Sequence, residues 1–171
     1  MKMLQQELDS VLTGMQGKKI LVIGDMVADI YLDGRISRIS REAPVLVLEK
    51  AGEKIVAGGA ANVVNNIATL GGDVYAVGLL GADAAARGLK KVLADNGVHI
   101  EVLLSDAKRP TISKARVVAG GRATVSQQIV RIDAESKEPM GLTFEEKLHQ
   151  YIESILPEIE GVVLSDYGSG T

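Results

Sequence analysis

Apolar residues fall along this chain in two rhythms. Short continuous runs read as buried strands: KKILVIGD at 18–25, DVYAVGLLG at 73–81, HIEVLL at 99–104 and GVVLSDYGSGT at 161–171, the last running into a glycine-rich loop. Between them, apolar positions recur every three or four residues. Residues 83–97 predict an amphipathic helix with Ala86, Leu89, Val92 and Leu93 on one face and Gly97 as its C-terminal cap. Residues 143–156 predict another, opened by a capping box from Thr143 to Glu146 and stopped by Pro157, with Leu148, Tyr151, Ile152, Ile155 and Leu156 facing inward. At the N-terminus, Leu4, Leu8, Val11, Leu12 and Met15 keep helical spacing and predict a helix docked on the core.

Two segments break this alternation. Residues 29–50 carry charges throughout and hold two extended pieces, 29–33 and 45–49, which predict a small antiparallel flap. Residues 111–121 and 123–133 are β-rich runs around a Gly-Gly turn, a hairpin able to join that flap. Strands alternating with amphipathic helices imply an α/β fold with a doubly wound, largely parallel sheet, and the two insertions imply a small β-rich lid. The chain stops in a loop just past a strand, where such folds build a site before returning through a helix, so it reads as the N-terminal part of a larger fold.

Composition narrows the class. The 171 residues are 46% hydrophobic, 24% charged and only 3% aromatic, which suits an aliphatic α/β domain with a real core. Without cysteine there is no disulfide framework and no thiolate metal site. The two histidines, His99 and His149, sit in different elements, which disfavours a histidine metal site. A net charge of −3 with no basic, aromatic-laced stripe argues against nucleic acid as a partner. The N-terminus lacks the continuous apolar run of a signal peptide, and no run is long enough to span a bilayer, so a cytoplasmic protein with no membrane partner is expected.

The chemistry-bearing positions cluster at strand ends and one helix entrance. No P-loop is present, and no dinucleotide fingerprint follows the first strand, which disfavours a Rossmann-type binder. Asp25 and Asp29 leave the first strand where open α/β sheets bind ligands. A carboxylate there can accept hydrogen bonds from sugar hydroxyls, or can simply cap a loop. The stretch GGAANVVNNIATLGG at 58–72 is a helix entered through two glycines. Gly58 and Gly59 serve either a positive φ or a ligand that approaches closer than a Cβ allows. Asn62, Asn65, Asn66 and Thr69 form one polar stripe on that helix. Asn62 supplies the donor and acceptor a hydroxyl needs, and equally could bond a nearby loop, as Asn65 and Asn66 are expected to do.

The segment GGAANVVNNIATLGGDVYAVGLLG resembles the N-terminal signature of the ribokinase-like (PfkB) sugar kinases. In order, GDMVADIYLDG, SRISREAPV, GGAANVVNNIATLG, PTISKARVV, QQIVRID and LSDYGSG resemble the heptose-7-phosphate kinase domain of ADP-heptose synthases. The resemblance implies transfer of the ATP γ-phosphate, with Mg²⁺, to the anomeric hydroxyl of heptose 7-phosphate, a step toward the lipopolysaccharide core. It implies that Asp29 binds sugar hydroxyls, that Gly58, Gly59 and Asn62 line the sugar pocket, and that the lid pairs subunits into a homodimer. A sugar phosphate needs cationic partners, for which Lys114, Arg116 and Arg131 on the lid are the candidates, although solvated strand charges would look the same. The family's second signature, an anion hole with the catalytic aspartate, has no counterpart here, so no catalytic residue is assigned in this chain and that base is expected beyond residue 171. The sequence departs from the narrower pattern at Ser169, where a lysine is usual, at Arg41 for a proline and at Ile30 for an arginine. Another PfkB kinase of ribose or fructose type, and a non-catalytic sugar-binding or dimerisation module, are the alternatives.

Overall fold

The computed structural model describes residues 2–120 and 125–170. Its elements run α1 (Lys2–Met15), β1 (Lys19–Gly24), β2 (Met26–Ile39), β3 (Leu46–Gly59), α2 (Ala60–Thr69), β4 (Asp73–Gly81), α3 (Ala84–Asp95), β5 (His99–Asp106), β6 (Ser113–Gly120), β7 (Gln127–Ala134), α4 (Leu142–Ile155) and β8 (Gly161–Ser165). They form two four-stranded sheets, ordered β5-β4-β1-β8 and β3-β2-β6-β7.

The first sheet is parallel throughout, with Ile20–Ile23 of β1 aligned on Val74–Val77 of β4 and on Gly161–Leu164 of β8. Its inner strands are apolar on both faces because both are covered there, whereas Val162 and Leu164 of the edge strand β8 stay exposed. On one side Val22, Ala76 and Leu103 pack under α2 and α3 through Ala61, Val64, Leu89 and Leu93. On the other, Leu21, Val77 and Val102 meet Leu148, Tyr151, Ile152 and Ile155 of α4. Helices on both faces of a parallel sheet are the expected doubly wound architecture.

The second sheet is the lid. The flap is larger than its charge pattern suggested: β2 and β3 are 14 residues each and pair antiparallel, with register shifts at Asp33/Gly34 and Ile36/Arg38. The charges that obscured it occur on both faces, as the adjacent pairs Glu49-Lys50 and Glu53-Lys54 require, and the backbone ladder runs on past them. The hairpin joins the flap as expected, β6 lying parallel to β2 and β7 antiparallel to β6. The Gly-Gly turn expected between β6 and β7 falls at 120–121 and lies partly outside the described residues.

Three local expectations change. The capping box does not form: Thr143 is already inside α4, whose N-cap is Gly141 without a side-chain hydrogen bond. The helix starts a residue early, Phe144 N–H closing onto the Gly141 carbonyl at 2.8 Å, so the Thr143 hydroxyl is out of cap position. Helix α1 forms but is not docked; Leu8, Val11 and Leu12 stay exposed. Just past its C-terminal end, Gln16 Nε2 donates to the Leu70 carbonyl (2.9 Å) and Gly17 N–H to that of Gly71 (2.8 Å). The amide stripe of α2 faces outward, while Ala60, Ala61 and Val64 are buried on the opposite side.

A polar knot links the sheets where the chain crosses from β5 to β6. Thr111 is 1% exposed; its hydroxyl donates to Asp83 Oδ1 (2.7 Å) and accepts from Gly81 N–H (3.0 Å), while its own N–H reaches Asp83 Oδ2 (2.8 Å). Asp83 also caps α3 by accepting from Ala86 N–H at 2.8 Å. Burial pushes the Asp83 carboxyl up, but the Thr111 and Ala86 N–H groups and the Thr111 hydroxyl outweigh it and leave the group below its ordinary 3.8.

Thr111→Val removes a donor from Asp83 and strands the Gly81 N–H, so urea denaturation should show a loss of about 1–3 kcal/mol. Because the folded Asp83 value is depressed, its stabilisation is present above pH 3.8 and lost as pH falls toward the folded value. Acid denaturation of Asp83→Asn should therefore show a shallower decline below that pH than the parent chain; parallel curves would remove Asp83 from this role.

Candidate functional site

The site is assembled where the two sheets meet. Asp25 is the single residue between β1 and β2, and β3 runs without interruption into α2. Asp25 N–H donates to the Ser165 carbonyl (3.1 Å), and its own carbonyl accepts from Ala60 N–H at the head of α2 (3.0 Å). Its carboxylate, 1% exposed, gathers the loop after β8: Oδ2 accepts from Tyr167 N–H (2.8 Å) and Ser169 N–H (3.1 Å). Oδ1 is sealed from solvent with no hydrogen-bond partner among the described residues.

Above this junction lies a cleft of about 170 Å³, lined by Val27, Asp29, Gly59, Ile112, Lys114, Arg116, Glu135, Tyr167 and Ser169. Register explains the lining. Asp29 is aligned with Lys114, and Tyr31 with Arg116, across the β2/β6 ladder. Side chains two apart on a strand share a face, so Asp29, Tyr31, Lys114 and Arg116 all project to the same side. Alternate residues Ala28, Ile30, Ile55 and Ala57 project the other way, into the core under α2 and α3.

Gly59 takes the positive φ the sequence allowed, whereas what approaches Gly58 is the protein's own carboxylate and not a ligand. Gly58 is aligned with Val27, and a Cβ on it would lie 2.7 Å from Asp29 Oδ2, so the carboxylate packs against bare backbone. Gly59, the N-cap of α2, has φ of 53°, and a Cβ there would meet Val27 Cγ2 at 2.6 Å and the Asp25 carbonyl at 2.7 Å. The tight turn and the close approach are therefore both present.

Arg116 closes over the carboxylate. Its Nη1 donates to Asp29 Oδ1 at 2.6 Å, and its guanidinium lies 5.4 Å from the centroid of the Tyr31 ring. The hydrogen bond to Asp29 raises the Arg116 guanidinium above its ordinary value. The two side chains are about one-fifth exposed, which leaves the pair reachable by a solute.

Of the seven candidate positions, Asp29, Gly59, Lys114 and Arg116 line one cleft, and Gly58 backs it. Asn62 is exposed and outside the lining. Asn65 ties α2 to the end of α3, accepting from Asn96 Nδ2 at 2.6 Å. Arg131 stands opposite Arg116 in the β6/β7 register but is held by Asp133 through paired hydrogen bonds of 2.8 and 2.9 Å, away from the cleft. The sequence reading missed Tyr31, Glu135 and Tyr167. Tyr31 was legible as two residues from Asp29 on a strand; Glu135 and Tyr167 arrive only through folding. A larger depression, about 650 Å³, lies at the far end of the lid between Asp33, Arg35 and Glu49; there Asp33 Oδ2 lies beside Gly52, where a Cβ would still fit at 3.7 Å.

The sequence pattern of the pfkB family carbohydrate kinases matches residues 17–164. The bifunctional protein HldE of Helicobacter pylori J99 is 42% identical over 153 residues, covering 90% of this chain and 32% of that protein. HldE of Azorhizobium caulinodans is 48% identical over 152 residues, covering 88% and 31%. The chain thus spans about a third of the length of these relatives. Among solved structures, Arabidopsis thaliana ribokinase complexed with ribose and ATP is similar in fold, with a TM-score of 0.57 and 24% identity over 87% of this chain and 45% of that one. With a family match across most of its length and a ribokinase-like arrangement of its parallel sheet and lid, this chain belongs to the pfkB family of carbohydrate kinases.

Proposed function

We propose that this chain is the acceptor-binding portion of a kinase that phosphorylates the anomeric hydroxyl of heptose 7-phosphate, with residues 29–50 and 111–133 as its lid. The observation that carries the reading is the cleft itself, where a glycine-backed carboxylate and two cations face one another across the β2/β6 register. Asp29 accepts sugar hydroxyls, Gly58 and Gly59 make room for that carboxylate and for the turn that holds it, and Lys114 and Arg116 meet the phosphate. Asn62 and Arg131 would join only if the lid and α2 closed further. The six sequence blocks resembling heptose-7-phosphate kinases favour heptose over a ribose- or fructose-type acceptor. A non-catalytic sugar-binding module would use the same cleft and differ only in lacking turnover.

ATP is the donor this family assignment suggests, with Mg²⁺ as its counter-ion. Among the described residues no group of three histidine, aspartate or glutamate side chains is placed to hold a metal ion. Mg²⁺ carried on nucleotide phosphates needs few protein ligands, and the roles derived above stay on the acceptor side. Among the described residues no helix is long and apolar enough to cross a membrane, which accords with a cytoplasmic setting.

The lid's apolar face, beyond the part near Ala28 and Ile30 that α2 and α3 cover, supports self-association. Val130 and Ile132 of β7 are 47% and 59% exposed, and Ile39 and Leu46 at the β2/β3 end are 66% and 42% exposed. Apolar residues on a sheet face that no helix covers are the material of a subunit contact.

Titration calorimetry with heptose 7-phosphate should show binding to the chain. Asp29→Asn should weaken it at least about tenfold with the melting temperature little changed; equal affinity would remove Asp29 from the site. Gly58→Ala should weaken binding similarly, because its Cβ displaces a flexible carboxylate, not backbone. Sedimentation velocity should show a dimer that Ile132→Asp converts to monomer. A parent chain that stays monomeric at high concentration would count against pairing through the lid.

A further inference from the structure

In this structure the hydroxyl-accepting carboxylate is already occupied. Arg116 Nη1 holds Asp29 Oδ1 at 2.6 Å, while Oδ2 is packed against Gly58. A sugar that binds through Asp29 must therefore displace or share the guanidinium. The displaced guanidinium would then need another anion. Of the other carboxylates on this face of the lid, Asp133 is bonded to Arg131 at 2.8 and 2.9 Å and Glu135 lies 3.9 Å from Lys137, while Asp33, two residues past Tyr31, lines the depression at the far end of the lid and not the cleft. Tyr31, under the guanidinium, keeps it over the cleft. Lys114, aligned with Asp29 one strand over, adds a second positive charge to the same lining.

We propose that the Asp29–Arg116 pair is a specificity latch that makes recognition of hydroxyls conditional on an anionic group in the same ligand. This rests on the reading of the cleft as a sugar-phosphate site. An unphosphorylated sugar reaches Asp29 only by taking Arg116 off its carboxylate, leaving the guanidinium its Lys114 carbonyl contact and partial solvent in exchange, a cost set against what the hydroxyls gain. A sugar phosphate offers Arg116 a dianion with the geometry for paired hydrogen bonds, and Lys114 a second contact. Exchange of partners then releases Asp29 for the hydroxyls. The phosphate subsite and the hydroxyl subsite are coupled through one guanidinium, so occupying either assists the other.

Two roles for Arg116 other than a latch make different forecasts. A plain phosphate contact predicts that its loss weakens heptose 7-phosphate and leaves free heptose unaffected. A purely structural role predicts that both weaken. The latch predicts that free heptose binds more tightly once Arg116 is gone.

The test is an NMR titration of the chain with heptose 7-phosphate and with free heptose, on the parent and on Arg116→Gln. The parent should prefer the phosphorylated sugar by about a hundredfold, two latch-sized tenfold steps. In Arg116→Gln the phosphorylated sugar should weaken and free heptose should tighten about tenfold; free heptose that is unchanged or weaker overturns the latch. A second measurement needs no variant and decides alone should Arg116→Gln fail to fold. Inorganic phosphate added to the parent chain should tighten free-heptose binding severalfold, whereas no change or simple competition overturns the latch. Failure of the parent to bind either sugar would instead overturn the sugar-phosphate reading, and the latch with it.

Discussion

Everything in this molecule that could recognise a ligand depends on how one residue, Asp25, joins three passes of the chain. Its N–H is bonded to the end of β8, its carbonyl to the head of α2, and its carboxylate to two N–H groups of the loop after β8. The two sheets therefore meet at a fixed point, and the lid leaves that point with its register already set. The closeness of these passes demands glycine. A Cβ on Gly24 would fall 2.0 Å from the Ser165 carbonyl oxygen, and one on Gly59 would strike the Asp25 carbonyl and Val27. The buried carboxylate is satisfied at one oxygen only, and so it favours any arrangement that keeps its two loop donors in place.

The lid then separates two kinds of chemistry by the two-residue repeat of a strand. Even-numbered positions of β2, such as Ala28 and Ile30, continue the hydrocarbon core beneath α2 and α3. Odd-numbered positions carry Asp29 and Tyr31, with Lys114 and Arg116 alongside from β6. A one-residue slip between β2 and β6 would send the cations of β6 to the core face, at the cost of burying unpaired charge. Register and site are thus specified together. The Asp29–Arg116 pair, about one-fifth exposed, adds little net stability of its own; its consequence lies in what it withholds from solvent and ligand.

Much of the fold was legible because it follows from periodicity. Continuous apolar runs gave β1, β4, β5 and β8, and helical spacing gave α2, α3 and α4 to within a residue or two. The misreadings have local physical causes. The capping box at Thr143 failed because a hydrogen-bonding pattern in sequence does not say which residue takes the cap geometry. The docked α1 failed because amphipathic spacing shows which face is apolar, not whether anything covers it. The lid strands were drawn short because charges on both faces break the apolar alternation, while the backbone ladder does not depend on it.

For the site, the sequence by itself determined the chemistry available: a carboxylate just past the first strand, two glycines before a helix, and cations on a β-rich insertion. These are local facts, fixed by residue type and by neighbours within a few positions. Only the tertiary structure decided which of them share a cavity. It aligned Lys114 and Arg116 with residues more than eighty positions earlier, turned Arg131 onto Asp133, left Asn62 facing outward, and brought Tyr167 and Ser169 to the wall through Asp25. The reason is that strand pairing between distant segments is set by which faces must be buried together, and no local pattern records that choice.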